Sequence, residues 1–264
     1  MNFKNKVIWI TGASSGIGEA CAYEFASAGA TLIISSNQVN ELLTVKEKCE
    51  KLGAVCHNVL FDLSDNESIK AAVDEVKNKI GRLDILFNNG GISQRATVIE
   101  SPVSIDRKIM EINFFGGISL TKLVLPLLIE SKKGQIVVTT SIAGKFGFLL
   151  RSAYCASKHA LYGFYESLQL ELMDKGISVT FICPGRVKTN ISLHALDKFG
   201  NPTGQMDEGL AKGIPVEKAA QKIVKAVYKR KREALIGGKE LIMVYIKKYF
   251  PNLFYNIARK INPT

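Results

Sequence analysis

Five cysteines are scattered through the 264 residues, at Cys21, Cys49, Cys56, Cys155 and Cys183, odd in number and never in C-x-x-C spacing. Neither a disulfide framework nor a zinc site is suggested, and a reducing compartment fits. Histidine is scarce, with three residues. No cluster of His, Cys, Asp and Glu has ligand spacing, so no metal is expected. The longest uncharged run, 25–40, is broken by Gly29 and by serines and asparagines, and does not read as a membrane span. Met1 to Lys6 leads straight into the apolar stretch 7–10, leaving no room for a signal peptide, and a cytoplasmic location is the expectation. Low-complexity tracts and internal repeats are absent, and 47% hydrophobic with 22% charged residues is a globular composition. One domain spanning 1–264 follows, since α/β cores of about 250 residues often form a single unit.

The net charge of +11 would suggest a nucleic-acid partner if it were spread over the chain. It is not: residues 212–264 hold 13 Lys/Arg against 3 Asp/Glu, whereas residues 1–211 hold 22 against 21. The excess belongs to the C-terminal region, and no nucleic-acid partner is expected.

What is present is an alternation of short β-branched runs with longer helical patterns. Strands are expected at Lys6–Thr11, Thr31–Ser35, Val55–Asp62, Leu83–Asn88, Gly134–Ser141, Ile177–Cys183 and Ala234–Ile236. Ile69, Ala72/Val73, Val76 and Ile80, and likewise Leu161, Phe164/Tyr165, Leu168 and Leu172, recur every three to four residues and put one apolar stripe on a helix. Such alternation implies right-handed crossovers and a Rossmann-type, doubly wound parallel sheet of about seven strands with helices on both faces. The Gly- and Pro-containing stretch 186–215 has weak periodicity, and its place after a strand's carboxyl end suits a substrate lid.

Directly after the first strand comes Thr11-Gly12-Ala13-Ser14-Ser15-Gly16-Ile17-Gly18. Glycines there permit tight turns and close approach to a pyrophosphate, which then sits at the positive end of a helix dipole. Tyr154 and Lys158 are four residues apart and share one face of a helix. An ammonium beside a phenol stabilises the phenolate, so Tyr154 is expected to have a lowered pKa and to serve as general acid/base. Ser141, at the end of the fifth strand, would hydrogen-bond the same substrate oxygen.

The G-x-x-x-G-x-G loop resembles the short-chain dehydrogenase/reductase family. The resemblance continues in order through Asp62-Leu63, Asn88-Asn89-Gly90-Gly91, Asn113, Ser141, Tyr154-x-x-x-Lys158, and Pro184-Gly185 followed by Val187 and Thr189. It implies hydride transfer between NAD(P)(H) and a carbonyl or alcohol. The cofactor would be held by Gly12, Ser14, Ser15, Gly16, Ile17, Gly18, Ser36, Asn37, Asp62, Leu63, Asn89, Gly90, Gly91, Tyr154, Lys158, Pro184, Gly185, Val187 and Thr189. Gly90, where the family usually has Ala, is expected to leave room for it. Catalysis would fall to Asn113, Ser141, Tyr154 and Lys158, with Asn113 positioning a water that links Lys158 to solvent. His159, on another helix face, is expected to be structural. Ser35-Ser36-Asn37-Gln38 offers no carboxylate to a ribose 2′-hydroxyl, which favours NADP(H) over NAD(H), although Asn37 stands where many NADP-using relatives have Arg and Ser15 where others have a basic residue.

The nearest branch by resemblance is that of hydroxysteroid and retinoid-type dehydrogenases. It implies an apolar steroid-, retinoid- or lipid-like substrate, with Gln94, Phe146, Phe148 and Leu149 lining its site beside Ser141 and Tyr154. It also implies a homodimer or homotetramer. The C-terminal segment 239–264 is basic and amphipathic, with apolar positions 242, 246, 249/250, 253/254, 257 and 261 and a break at Pro251. Peripheral membrane contact and packing over the substrate site or a neighbouring subunit both suit it. Two other functions remain open: an epimerase or dehydratase on the same fold, and a non-catalytic cofactor-binding redox sensor docked on a membrane.

Overall fold

A computed structural model describes residues 1–261 of the chain; the last part of the expected C-terminal segment, 262–264, lies outside the described residues. The order is β1 (Val7–Thr11), α1 (Gly16–Ser27), β2 (Thr31–Ser35), α2 (Val39–Lys51), β3 (Cys56–Asn58), α3 (Asn66–Lys79), β4 (Ile85–Asn88) and α4 (Val103–Met110). A π-helical turn, Glu111–Phe115, joins α4 to α5 (Gly116–Glu130), and β5 (Gln135–Thr139) and α6 (Ser152–Leu172) follow. The chain ends with β6 (Ser178–Pro184), α7 (Glu208–Ala211), α8 (Val216–Tyr228), β7 (Glu233–Ile236), α9 (Ile242–Tyr249) and α10 (Pro251–Ala258).

All seven strands are parallel, in the order β3-β2-β1-β4-β5-β6-β7, as the sequence pattern predicts. Helices cover both faces. Ile8, Ile10, Phe25, Leu32 and Val224 pack on one side, and Trp9, Ile33, Leu86, Val124 and Tyr165 on the other. Trp9 is buried and satisfies its indole N–H on Ser35 Oγ at 2.8 Å. The direction of winding reverses between β1 and β4, which opens a crevice beyond the carboxyl ends of those strands.

Helix α3 shows how local sequence sets an element. Asp65 caps it, accepting from the N–H groups of Glu67 (2.9 Å) and Ser68 (3.2 Å), and Gly81 ends it in the left-handed region at φ +66°. Its apolar stripe, Ile69, Ala72, Val73 and Val76, is fully buried. One expected strand is much shorter than its pattern. β3 pairs only with β2, and after Val59 N–H reaches Ile34 O (3.0 Å) the chain leaves the sheet. At this edge Val59 and Phe61 are buried without further ladder bonds, so the alternation that predicted strand as far as Asp62 is satisfied by an extended loop.

The helical stretch Val103–Glu130 is long and apolar enough by composition to cross a membrane. Here Leu120, Val124 and Leu128 are fully buried in the core, and a Cβ on Gly116 would lie 2.1 Å from Leu63 O. The stretch is thus a core helix of the sheet's flank. Pro251 divides the C-terminal segment as expected, standing at the start of α10.

Candidate active site

The crevice is a cleft of about 970 Å³, and the glycine loop forms one wall. Gly12 and Gly16 adopt φ +60° and +58°, a region costly for residues with a Cβ. A Cβ on Gly12 would meet Gly90 Cα at 2.6 Å, so the loops after β1 and β4 touch backbone to backbone. Thr11 Oγ1 accepts from Asn89 N–H and Gly90 N–H, both at 3.0 Å, while Asn89 Nδ2 donates to Thr11 O (3.2 Å) and Gly12 O (3.1 Å). Ser15 is the N-cap of α1. The first N–H groups of that helix and its dipole open toward the cleft, an anion-binding arrangement.

Of the expected cofactor residues, Gly12, Ser14, Ser15, Gly16, Ile17, Ser36, Asn37, Asp62, Leu63, Asn89, Gly90, Gly91, Tyr154, Lys158, Pro184, Gly185, Val187 and Thr189 line this one cleft. Gly18 does not. Its Cβ would fall 2.2 Å from Gly12 O, so it lets α1 begin directly beneath the loop instead of facing a ligand. The space at Gly90 is also spoken for: a Cβ there would meet Leu63 Cδ1 at 2.5 Å, so the absent methyl makes room for Leu63. Ser14 and Ser36 hydroxyls share a hydrogen bond of 2.9 Å, and Asn37 Nδ2 donates to Asp62 Oδ2 at 3.0 Å. Burial works to raise the Asp62 pKa, but hydrogen bonds from Ser64 and Asn37 outweigh it and hold the carboxyl below its ordinary value.

Across the cleft, Ser141 caps a short 3-10 turn. Its Oγ accepts from Ala143 N–H (3.1 Å) and donates to Pro184 O (3.4 Å). Gly144 allows that turn to pack on α6, because a Cβ would approach Lys158 O to 2.8 Å. Lys158 is only 4% exposed; its Nζ donates to Thr139 O at 2.9 Å and lies 5.7 Å from the Tyr154 ring centre. Burial lowers its pKa to about 8. The expected lowering of the Tyr154 pKa does not appear. Burial pushes the phenol up, and the facing Ser141 hydroxyl and the charge of Arg151 only partly oppose it. Desolvation dominates because both groups of the pair are taken out of water together.

Asn113 and Gln94 are both held by hydrogen bonds. Asn113 is buried in the π-helical turn with its side chain in a brace: Oδ1 accepts from Ile92 N–H (2.8 Å), and Nδ2 donates to Ile92 O (2.9 Å) and Ser157 Oγ (3.0 Å). Gln94 does not line the cleft. It is fully buried, with Nε2 donating to Ser101 Oγ (3.1 Å) and Oε1 accepting from Ala153 N–H (2.9 Å), which ties the loop after β4 to the start of α6. A polar side chain after a strand's end reads equally well as ligand contact or loop strut. His159 points away from the cleft and bonds Cys155 O at 2.8 Å.

Phe146, Phe148 and Leu149 do line the cleft. Phe146 packs on Phe148 (ring centres 4.9 Å) and on Phe254 of α10 (4.8 Å), and Phe254 is buried. Met243, Phe254, Tyr255, Ala258 and Arg259 complete that wall, so the C-terminal segment folds over the apolar end. Its outer side keeps Ile242, Tyr245, Tyr249, Phe250 and Leu253 exposed next to Lys247 and Lys248. Thr11, Thr139, Arg151 and Phe254 were not foreseen as site residues. Only the helical spacing of the tail hinted at one of them.

A family model for short chain dehydrogenases matches residues 6–198. The chain is 40% identical over 261 residues to dehydrogenase/reductase SDR family member 7B of Xenopus tropicalis, covering 96% of this chain and 84% of that protein. It is 38% identical over 260 residues to dehydrogenase/reductase SDR family protein 7-like of Drosophila melanogaster, covering 97% and 80%. Among solved structures, a short-chain dehydrogenase from Streptomyces avermitilis superposes with a TM-score of 0.80 at 27% identity, covering 96% of each chain. Actinorhodin polyketide ketoreductase with NADPH gives 0.68 at 31% identity over 72% of this chain and 74% of that one.

Because Lys158 is buried with a depressed pKa, the folded protein pays for its charge. That cost grows as pH falls from the ordinary lysine value to about 8 and stays constant below. Lys158→Met should therefore raise the melting temperature of the ligand-free protein at pH 7 by ~2–4 °C, while weakening activity. A lower melting temperature, measured by calorimetry, would contradict this reading of the charge.

Proposed function

The chain belongs to the short-chain dehydrogenase/reductase family of oxidoreductases, and on that premise we propose that it interconverts a carbonyl and an alcohol on an apolar substrate, with NADP(H) as redox partner and Tyr154 as general acid/base. The observation that carries the reading is the convergence of Ser141, Tyr154 and Lys158 on one cleft whose far wall is apolar and whose near wall is the glycine loop. The loop fits a dinucleotide: its backbone approaches the β4 loop too closely for side chains, and the start of α1 suits a pyrophosphate. Ser14 and Ser36 supply hydroxyl groups, and strand β2 ends without a carboxylate of its own, where a 2′-phosphate would sit, which supports NADP(H) over NAD(H); the Asn37 amide is turned to Asp62.

The nicotinamide, when bound, supplies or accepts the hydride. The protein's part is proton transfer and charge stabilisation. Tyr154 holds its proton at neutral pH because burial raises its pKa, so it is ready to donate to a carbonyl oxygen as that oxygen gains charge. Ser141 offers a second hydrogen bond to the same atom. Lys158 provides a positive charge close to the phenol, which favours the phenolate left behind. In the reverse direction Tyr154 must first lose its proton.

Tyr154→Phe removes that proton and should lower kcat for a reduced ketone by about 10²–10⁴-fold, with cofactor affinity nearly unchanged. In the wild type, reduction should be flat through neutral pH and oxidation should rise as pH rises. A Tyr154→Phe enzyme with full activity would contradict the role of Tyr154 as general acid/base.

Exposed Phe115, Leu170 and Met173 on and beside α5 and α6 support a homo-oligomer; a monomer mass by light scattering would remove it. The outer side of α9 and α10 combines aromatic side chains with Lys247 and Lys248, which supports peripheral contact of a cytoplasmic protein with an anionic membrane. Since Phe254 packs inside the cleft, deleting the segment would open the site itself. Point changes test the surface better. Tyr249→Glu with Phe250→Glu should abolish co-sedimentation with anionic vesicles; undiminished pelleting would contradict the membrane contact.

A further inference from the structure

At the end of the cleft beyond Tyr154, two guanidinium groups meet one carboxylate. Arg151, one turn before Tyr154 on α6, ion-pairs with Asp207, and both line the cleft. Behind Asp207, Arg95 Nη2 stands 3.8 Å from the same Oδ2. The Arg95 side chain is 7% exposed, and its only hydrogen bond among the described residues is a long one, Nη1 to Gln205 Oε1 at 3.4 Å. Its Nε and Nη2 are buried with no hydrogen-bond partner among the described residues. Asp207 is itself divided, since its Oδ1 accepts from Gly209 N–H at 2.9 Å to cap α7.

Buried cations are normally paired and buried N–H groups normally satisfied. Here one carboxylate serves two arginines that repel each other, and the planar Nε/Nη2 edge of Arg95, the edge that grips an oxyanion bidentately, makes no hydrogen bond among the described residues and has only the long Nη2 contact with Asp207. Arg151 and Asp207 line the cleft and Arg95 lies behind Asp207, outside the lining, so the surplus positive charge adjoins a cleft whose apolar end is formed by Phe146, Phe148 and Phe254. We infer that Arg95 and Arg151 form a head-group subsite for an oxyanion, a phosphate or a carboxylate, carried by an otherwise apolar substrate. Asp207, on the 186–215 segment, occupies part of the subsite in the ligand-free protein and shares or yields it when the anion enters. The inference rests on the cleft being a substrate site, as proposed above, and narrows the substrate from apolar to amphiphilic and anionic.

The test is equilibrium binding to the full-length protein with NADPH present, using hexyl phosphate, hexanoate and 1-hexanol, each read by calorimetry and by protection against heat. At least one anionic probe should bind about tenfold or more tightly than the alcohol, with the advantage shrinking as ionic strength rises. Comparing phosphate with carboxylate identifies the head group. Arg95→Met should remove the advantage and Arg95→Lys should restore part of it. The ratio between anionic and neutral probes is the readout, so general damage to folding moves all three probes together. Equal binding of the three by the wild type, or an Arg95→Met protein that keeps the full ratio, would overturn the inference and leave the arginines as struts of the 186–215 segment. Turnover enters none of these measurements, so failure of the redox mechanism shows separately, as loss of activity toward every ketone despite ordinary probe binding.

Discussion

A buried lysine sets the terms for the active end of this molecule. Lys158 is 4% exposed and reaches one backbone carbonyl, Thr139 O, in surroundings that work against its charge. Holding it there requires the close packing of the 3-10 turn on α6 through Gly144, and a loop beneath it stiffened by Asn113 and Ile92. Those same constraints hold Ser141 and Tyr154 facing each other. The cost in stability is the counterpart of placing a positive charge beside a buried phenol, which the proposed mechanism uses to favour the phenolate.

The other half of the cleft depends on proximity more than on charge. The loops after β1 and β4 meet without side chains between them, and Thr11 and Asn89 stitch them together from both directions. This contact falls where the strand order reverses, so the sheet's topology and the glycine-lined end of the cleft arise from one feature. On the far side, α10 closes the apolar wall by inserting Phe254. The basic C-terminal segment therefore has an inner face that belongs to the site and an outer face that meets solvent.

The sheet and its seven parallel strands were legible in the sequence from the hydrophobic periods, and the glycine loop, Ser141, Tyr154 and Lys158 from their spacing; the other expected cofactor residues were implied by the family resemblance. Gly18 and Gln94 fall outside the cleft lining for a common reason. Each lies in a motif next to ligand-facing residues, and sequence spacing cannot tell a group that faces the cleft from one that lets or makes its neighbours face it. β3 was overlong because an edge segment can bury Val59 and Phe61 without a ladder. The phenol's raised pKa was missed because the i,i+4 argument counts charge and leaves out desolvation. The pairing of Arg95 and Arg151 on Asp207 joins residues 112 and 56 positions apart in sequence, and nothing local announces it.

The account stands on the cleft being a nicotinamide dinucleotide site, and direct titration tests that first. Excitation of Trp9 and the tyrosines, with emission followed from added NADPH and, separately, NADH, should give saturable energy transfer and quenching of protein fluorescence, tighter for NADPH. Folded protein that binds neither would contradict the account, leaving the glycine loop a structural turn and Ser141, Tyr154 and Lys158 without a redox partner.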